Sequence, residues 1–181
     1  IYSSKKEDVI FEIKKKVSKD VIYINMDKEI LFMDRKASDN KYLHRDFHLS
    51  ADIGIAYVGN NYGDDAVKEY LVQFTRSYFV KLAEQVKERG LEALKEYLHK
   101  IFNAEEKSDY IQTDLSNNEL RVKIDRCPAI EYMQSVGRTP SKWYGETTKT
   151  VYLELAKMCG VNFNLICYDE KTGAAEYVFY K

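Results

Sequence analysis

The spacing of apolar residues changes near residue 107, and this change constrains the fold more than any other feature. After it, Tyr110–Thr113 and Leu120–Ile124 alternate at period two around a polar turn, which predicts a hairpin. Residues 162–168 and 174–180 predict a second hairpin. Before it, apolar residues recur at helical spacing. The clearest stripe is Val67, Tyr70, Leu71, Phe74, Tyr78, Leu82 and Val86.

Turn and capping residues mark the ends of the predicted helices. Asn60 to Gly63 reads as a turn, Gly90 as a helix stop, and Thr139 as a cap before Pro140 at a first helical position. The helices expected between residues 41 and 159 are 41–58, 64–90, 91–102, 128–136 and 140–159. We therefore predict an α+β fold in which long N-terminal helices pack on a four-stranded antiparallel sheet formed by two hairpins, with two helices between the hairpins.

Length and composition are typical of one domain, or of one domain with an added N-terminal segment. The chain has 181 residues, of which 45% are hydrophobic. We assign residues 41–181 to an α+β ligand-binding-like domain and residues 1–40 to an extension with a helix and a hairpin. The space between helices and sheet is where a ligand is expected.

Charge and cysteine usage narrow the classes of partner. The net charge is -1 and the charges are mixed, so neither nucleic acid nor an anionic membrane is indicated. No apolar run approaches the ~20 residues of a membrane span. The three cysteines form no CxxC pair, which favours a reducing cytoplasm. The residues do not identify a cofactor.

His44 and His48 are four residues apart in a predicted helix, so both rings lie on one face, one turn apart. Asp52 continues the series. Such a set can bind a metal, hold a polar ligand or carry a proton, although the intervening Arg-Asp-Phe does not match the zinc-protease motif. We assign the three residues to ligand binding rather than to a metal. The alternative is a structural pair satisfied by backbone or tyrosine.

Cys127 lies between a predicted strand and a helix that begins at Pro128. A helix N-terminus and the neighbouring Arg126 favour a thiolate, which would suit a nucleophile with His48 as its base. The alternative is an inert buried cysteine.

Trp143, Tyr144 and Glu146 stand close together near the start of the last long helix. Two flat aromatic surfaces and a charge would suit a clamp on a ligand. The alternative is hydrophobic packing beside an exposed glutamate.

From Leu120 onward the chain has a strand, Arg126-Cys127-Pro128, two helices, and a closing hairpin that ends in Glu-Tyr-Val-Phe-Tyr. This order resembles the L-2-amino-thiazoline-4-carboxylic acid hydrolase-like family and, more distantly, the 4-vinyl reductase-like ligand-binding domains, over about residues 41–181. The resemblance implies a buried pocket for a small apolar or aromatic molecule. Such families often have cysteines where this chain has Gly145-Glu146, Tyr177 and Phe179.

Three functions are consistent with these candidate residues and with the resemblance. The first is a domain that binds a small, partly apolar molecule between helices and sheet. The second is a hydrolase of a cyclic amide or thiazoline that uses Cys127, which requires a histidine within hydrogen-bond reach of the thiol. The third is an interaction module that forms a homodimer, because related folds pair through their helices. This last function predicts a large exposed apolar patch on the long helices.

Overall fold

The computed structural model describes residues 41–181, with side chains from Phe47 onward. The predicted helix and hairpin of residues 1–40 lie outside the described residues, and so does the side chain of His44. The helices are α1 (Lys41–Tyr62), α2 (Asp64–Tyr78), α3 (Val80–Arg89), α4 (Leu91–Ala104), α5 (Pro128–Ser135) and α6 (Glu146–Cys159), with a 3-10 turn at Ser108–Tyr110. The strands are β1 (Ile111–Leu115), β2 (Glu119–Ile124), β3 (Asn162–Tyr168) and β4 (Ala175–Tyr180).

The four strands form one antiparallel sheet in the order β1-β2-β4-β3. The two hairpins therefore meet at the β2–β4 pair, and α5 and α6 lie between them in the sequence. This arrangement confirms the predicted α+β architecture. None of the helices within residues 41–181 has the length and apolar character needed to cross a membrane.

The centre of the sheet supplies much of the core. Leu120 pairs with Phe179 and Val122 pairs with Tyr177 across β2 and β4. All four side chains are fully buried. Helix α6 packs against β3 on one side and against α2 on the other, so it links the sheet to the long helices.

The long helix predicted from residue 64 to Gly90 bends at Phe79 and is divided into α2 and α3. Just before the bend, Thr75 Oγ1 donates a hydrogen bond to the Leu71 carbonyl (2.6 Å) and Ser77 Oγ donates one to the Gln73 carbonyl (3.0 Å). Hydroxyl bonds of this kind favour bending of a helix. Because of the bend, Phe79 is buried and α3 also packs against α6.

The last long helix begins at Glu146 and not at Pro140 as predicted. The segment before it, residues 139–145, is fixed by tertiary contacts instead of by helix hydrogen bonds. Asp52 Oδ1 accepts a hydrogen bond from the Ser141 N–H at 2.9 Å, and Trp143 Nε1 donates to Asp64 Oδ1 at 2.6 Å. These contacts fasten the segment to α1 and α2, which outweighs the helix-start signal of Thr139-Pro140.

Trp143 packs directly on the backbone of α1 at Gly59. A Cβ atom at residue 59 would stand 2.5 Å from carbon atoms of the indole ring. Only glycine allows this approach without displacement of the ring. We expect Gly59→Ala to reduce the free energy of unfolding by about 1–3 kcal/mol, the usual cost of overpacking a core, as measured by urea denaturation.

A double-mutant cycle supplies the control for that prediction. In a Trp143→Leu background the clash is absent, so Gly59→Ala should be neutral or stabilising by up to ~1 kcal/mol, the propensity gain of alanine inside a helix. Equal destabilisation in both backgrounds would show that the indole is not the cause.

A buried carboxylate joins α2 to α6. Glu154 is 4% exposed, and its Oε1 accepts a hydrogen bond from Arg76 Nε at 2.7 Å. Lys157 Nζ lies 3.3 Å from the other carboxylate oxygen. Burial alone would raise the pKa of Glu154, but Arg76 and Lys157 outweigh burial and hold this pKa below its ordinary value of 4.5.

A pH dependence of stability follows from this pair. Because the pKa is lower in the folded chain, the contribution is present above pH 4.5 and is lost as the pH falls through the native pKa. Glu154→Gln should cost about 1 kcal/mol at pH 7, because Arg76 is exposed and the surrounding water screens its attraction to Glu154. It should also flatten the acid limb of stability against pH. Glu96→Gln, in the exposed pair with Arg89, is the matched control and should change neither quantity.

Candidate functional site

Five polar side chains from four parts of the chain meet beneath α1, and we call them the polar cluster. His48 and Asp52 come from α1, Glu105 follows α4, Cys127 lies between β2 and α5, and Tyr144 precedes α6. Hydrogen bonds connect His48 to Glu105 and Tyr144, and Tyr144 lies within electrostatic range of Cys127, Asp52 and Glu105. The structure therefore brings together four residues that the sequence indicated: His48, Asp52, Cys127 and Tyr144.

His48 is at the centre of the polar cluster. Its Nε2 atom lies 2.9 Å from Glu105 Oε1, and its Nδ1 atom lies 3.4 Å from the Tyr144 hydroxyl. The exposed fractions are 17% for the histidine side chain and 5% for the glutamate. Low exposure strengthens such contacts, because little water competes for the same atoms. Both ring nitrogens are thus engaged by polar neighbours on different elements.

Glu105 was missed by the sequence analysis. A signal for it does exist, because Glu105 continues the buried stripe of α4 through Leu98 and Phe102 at helical spacing. A carboxylate in phase with an apolar stripe is expected to be buried and to need a partner. His48 is such a partner, although 57 residues separate the two.

Cys127 is half-buried, and the packing around its thiol decides its protonation state. Burial raises the pKa of its thiol, and the nearby Glu105 raises it further. The N–H groups of Ala129 and Ile130 at the start of α5 oppose this shift, but neither completes a hydrogen bond to the sulfur. The effect of the helix N-terminus is therefore outweighed, and the thiol is protonated at neutral pH.

The β3–β4 turn covers Cys127. The Cys127 N–H donates a hydrogen bond to the Thr172 carbonyl at 2.9 Å. Gly173 has φ +66, and a Cβ atom there would stand 2.4 Å from the Cys127 Cβ. Asp169 Oδ1 accepts hydrogen bonds from the N–H groups of Lys171 and Thr172, which hold the turn in this conformation.

Four phenol groups lie within electrostatic range of the Cys127 thiol. Burial raises the pKa of each of them, to about 12 for Tyr152, and Cys127 adds to each shift. They are therefore neutral hydrogen-bond donors throughout the physiological range. The four phenols are those of Tyr144, Tyr152, Tyr168 and Tyr177.

The Tyr177 hydroxyl has no hydrogen-bond partner, although its side chain is fully buried. The Tyr152 hydroxyl is near enough for a weak donor–acceptor interaction that raises the pKa of Tyr177 and lowers that of Tyr152. The two hydroxyls do not meet the distance and angle of a full hydrogen bond, so the Tyr177 hydroxyl is at best poorly satisfied. An unpaired buried hydroxyl costs about 1–3 kcal/mol, and proteins rarely keep one without a bound partner or a role.

Two of the indicated residues lie apart from the polar cluster. Trp143 faces Gly59 and Asp64, and Glu146 accepts a hydrogen bond from Thr150 at 2.5 Å. The proposed clamp is thus divided, with Tyr144 directed to His48 and Trp143 to the junction of α1 and α2. Trp143 and Glu146 line a small open depression of about 170 Å³ with Asp64, Lys68 and Lys142.

The space between helices and sheet is filled by aromatic rings. Tyr152, Phe163, Tyr177 and Phe179 pack with ring centroids 5.1 to 6.1 Å apart.

A larger open groove of about 620 Å³ lies where α3 and α6 end, and it shares no residue with the polar cluster. Within residues 47–181, no three metal-binding side chains are arranged to hold an ion. An enclosed ligand pocket between the helices and the sheet stays a prediction.

The three cysteines should differ in reactivity. Burial raises the pKa of Cys127 and raises that of Cys159 to about 11, whereas Cys167 is exposed on β3. Because alkylation requires a thiolate that the reagent can reach, iodoacetamide at pH 7.5 should label Cys167 first. Peptide mapping by mass spectrometry measures the order. Preferential labelling of Cys127 would contradict this account and would indicate an activated thiol.

No protein-family model, curated protein or solved structure matches this chain. The resemblance inferred from the sequence therefore stays a prediction.

Proposed function

We propose that residues 41–181 bind a small, partly apolar molecule between the helices and the sheet, beside the polar cluster. The observation that carries the proposal is the buried Tyr177 hydroxyl without a hydrogen-bond partner. A ligand atom that accepts its proton would remove the cost of that unpaired group. The apolar surface for the rest of the molecule comes from the surrounding aromatic rings.

The protonation states define the chemistry of the ligand. The four phenols and the Cys127 thiol offer neutral donors, which favour a carbonyl or heterocyclic nitrogen over a full anion. Asp52 is 4% exposed and accepts a hydrogen bond from the Ser141 N–H, so it adds acceptor oxygens and no donor at the edge of the cluster. An uncharged aromatic or heterocyclic molecule with one or two acceptor atoms fits this set best.

Entry of a ligand requires a change in the packing of these residues. The β3–β4 turn is the covering element, since Thr172 and Gly173 contact Cys127 directly. It is a short surface turn held by Asp169, and such turns open at lower free energy than a packed helix. We expect the turn to move outward when the ligand enters.

Tyr177→Phe tests the proposal. Freshly purified protein should show an organic adduct in native mass spectrometry, and the variant should retain at least about tenfold less of it. The ligand-free variant should be as stable as the wild type or more stable by ~1 kcal/mol, because an unpaired hydroxyl has been removed. Tyr180→Phe, at an exposed position on the same strand, is the control and should change neither property.

Two results would contradict the proposal. Undiminished adduct in Tyr177→Phe would show that the hydroxyl does not contact the ligand. A bare polypeptide mass for the wild type, together with a destabilised Tyr177→Phe, would show that the hydroxyl has a structural role instead.

A second candidate is hydrolysis of a cyclic amide or thiazoline by Cys127 with His48 as base. The observation that favours it is the approach of the Ala129 and Ile130 N–H groups to the sulfur, since such donors stabilise negative charge during attack. Among the described residues, however, no hydrogen bond joins Cys127 to His48. The alkylation experiment separates the candidates, because fast labelling of Cys127 belongs to the hydrolase alone.

A further inference from the structure

The β3–β4 turn, residues 169–174, is held in shape by its own hydrogen bonds. The Asp169 N–H donates to the Ala174 carbonyl at 2.8 Å, and the Gly173 N–H donates to the Asp169 carbonyl at 2.7 Å. Asp169 Oδ1 accepts two further bonds from N–H groups within the turn. A turn bonded in this way keeps its shape when its contacts with other elements break. It can therefore move as one unit.

Polar contacts join the turn to α5 and α6. Gln134 Nε2 donates a hydrogen bond to the Lys171 carbonyl at 2.9 Å. On the other side, the Lys149 ammonium forms an ion pair with the Glu170 carboxylate. The Lys149 side chain is 35% exposed and that of Glu170 is 57% exposed. Water and salt screen an ion pair of this exposure, so it can break and re-form readily.

Gly145, which precedes α6, provides the space for this ion pair. It is buried, and a Cβ atom there would stand 2.7 Å from Glu170 Oε2 and 3.0 Å from Tyr168 Cε1. The carboxylate thus occupies the space that a side chain at residue 145 would take. Lys149 Nζ also lies 5.0 Å from the centre of the Tyr168 ring. Because Tyr168 is one of the four phenols near Cys127, the ion pair closes the turn beside the polar cluster.

Strand β3 is irregular just before the turn. Leu165 pairs with Tyr177 and Cys167 pairs with Glu176, so the register shifts at Ile166. Such a bulge interrupts the hydrogen-bond ladder and bends its strand. Strand β3 also lies at an edge of the described sheet, so β4 is its neighbour on one side and no strand of that sheet lies on the other. The bulge therefore gives the turn a point about which it can swing.

We propose that the β3–β4 turn is a gate to the polar cluster and that the Lys149–Glu170 ion pair is its latch. This inference deepens the proposed function and rests on it for what passes through the gate. With the latch formed, Thr172 and Gly173 cover Cys127. With the latch broken, the turn swings about the bulge and uncovers the thiol.

The latch controls rates and leaves affinity to other residues. The ion pair lies outside the polar cluster, so it forms equally with the ligand bound and with the site empty. Breaking it speeds entry and exit of a ligand by the same factor. The buried phenols determine how tightly the ligand is held.

Labelling of Cys127 measures the opening of the gate without a ligand. In a Cys167→Ser background at pH 7.5, iodoacetamide should modify Cys127 slowly, and peptide mapping distinguishes it from Cys159. Glu170→Lys places two like charges together in the latch, so the rate at Cys127 should rise by about tenfold. The rate at Cys159 should not change, because that residue lies in the groove at the end of α6.

Hydrogen exchange supplies a second measurement that does not depend on thiol chemistry. The Cys127 N–H donates to the Thr172 carbonyl at 2.9 Å and is exposed only when the turn leaves it. Its exchange should also be about tenfold faster in Glu170→Lys, because the same opening limits both rates.

An exchange of charges tests the latch itself. Lys149→Glu combined with Glu170→Lys restores opposite charges, and both rates should return to within about twofold of the wild type. Gly145→Ala keeps both charges but takes the space of the carboxylate, so both rates should rise a few-fold. Glu96→Gln breaks a similarly exposed ion pair of α4. It is the matched control and should change neither rate.

Two results overturn the proposal. Unchanged rates at Cys127 in Glu170→Lys would show that the ion pair does not hold the turn closed. Rates that stay high after the exchange of charges would show that Glu170 acts through its shape and not through its charge. These measurements need no ligand, so a missing organic adduct would count against the proposed function alone.

Discussion

The pairing of β2 with β4 is the interaction on which the rest of the structure depends. Each hairpin alone is a two-stranded ribbon, which is marginally stable in water. Their union makes a four-stranded sheet and buries Leu120, Val122, Tyr177 and Phe179 at its centre. Without it, α6 would have no sheet to cover, and the long helices would have no α6 to pack on. The same pairing brings Tyr177 into range of Cys127, so it also determines the site.

The sequence predicted the architecture because hydrophobic period is a local property. The helical stripe from Val67 to Val86 and the two period-two segments are visible without any tertiary contact. Some helix ends were predicted wrongly: α1 continues to Tyr62 through the predicted turn, and the start of α6 depends on contacts between distant residues. Helix α6 starts late because Asp52 and Asp64 capture residues 141 and 143. The bend at Phe79 follows from hydroxyl bonds whose choice of acceptor the sequence does not reveal.

The polar cluster could be predicted only in part, for a related reason. Spacing alone indicated His48 and Asp52, and the strand-to-helix junction indicated Cys127. The burial of the thiol depends on Gly173 and the β3–β4 turn, which lie more than forty residues away in the chain. Burial reverses the expected effect of the helix N-terminus on the pKa of Cys127. A local pattern can thus locate a reactive group, but the surrounding packing sets its protonation state.

The long separations within the polar cluster have a consequence for folding. The contacts of His48 with Glu105 and Tyr144 close loops of 57 and 96 residues. Closing loops of that length is costly in entropy, so these contacts form only after most of the chain has folded. The cluster should therefore assemble last and be the first region lost on partial unfolding. A molecule that binds there would stabilise the completed fold against this partial unfolding. The lifetime of the folded chain in a cell would then depend on the supply of that molecule.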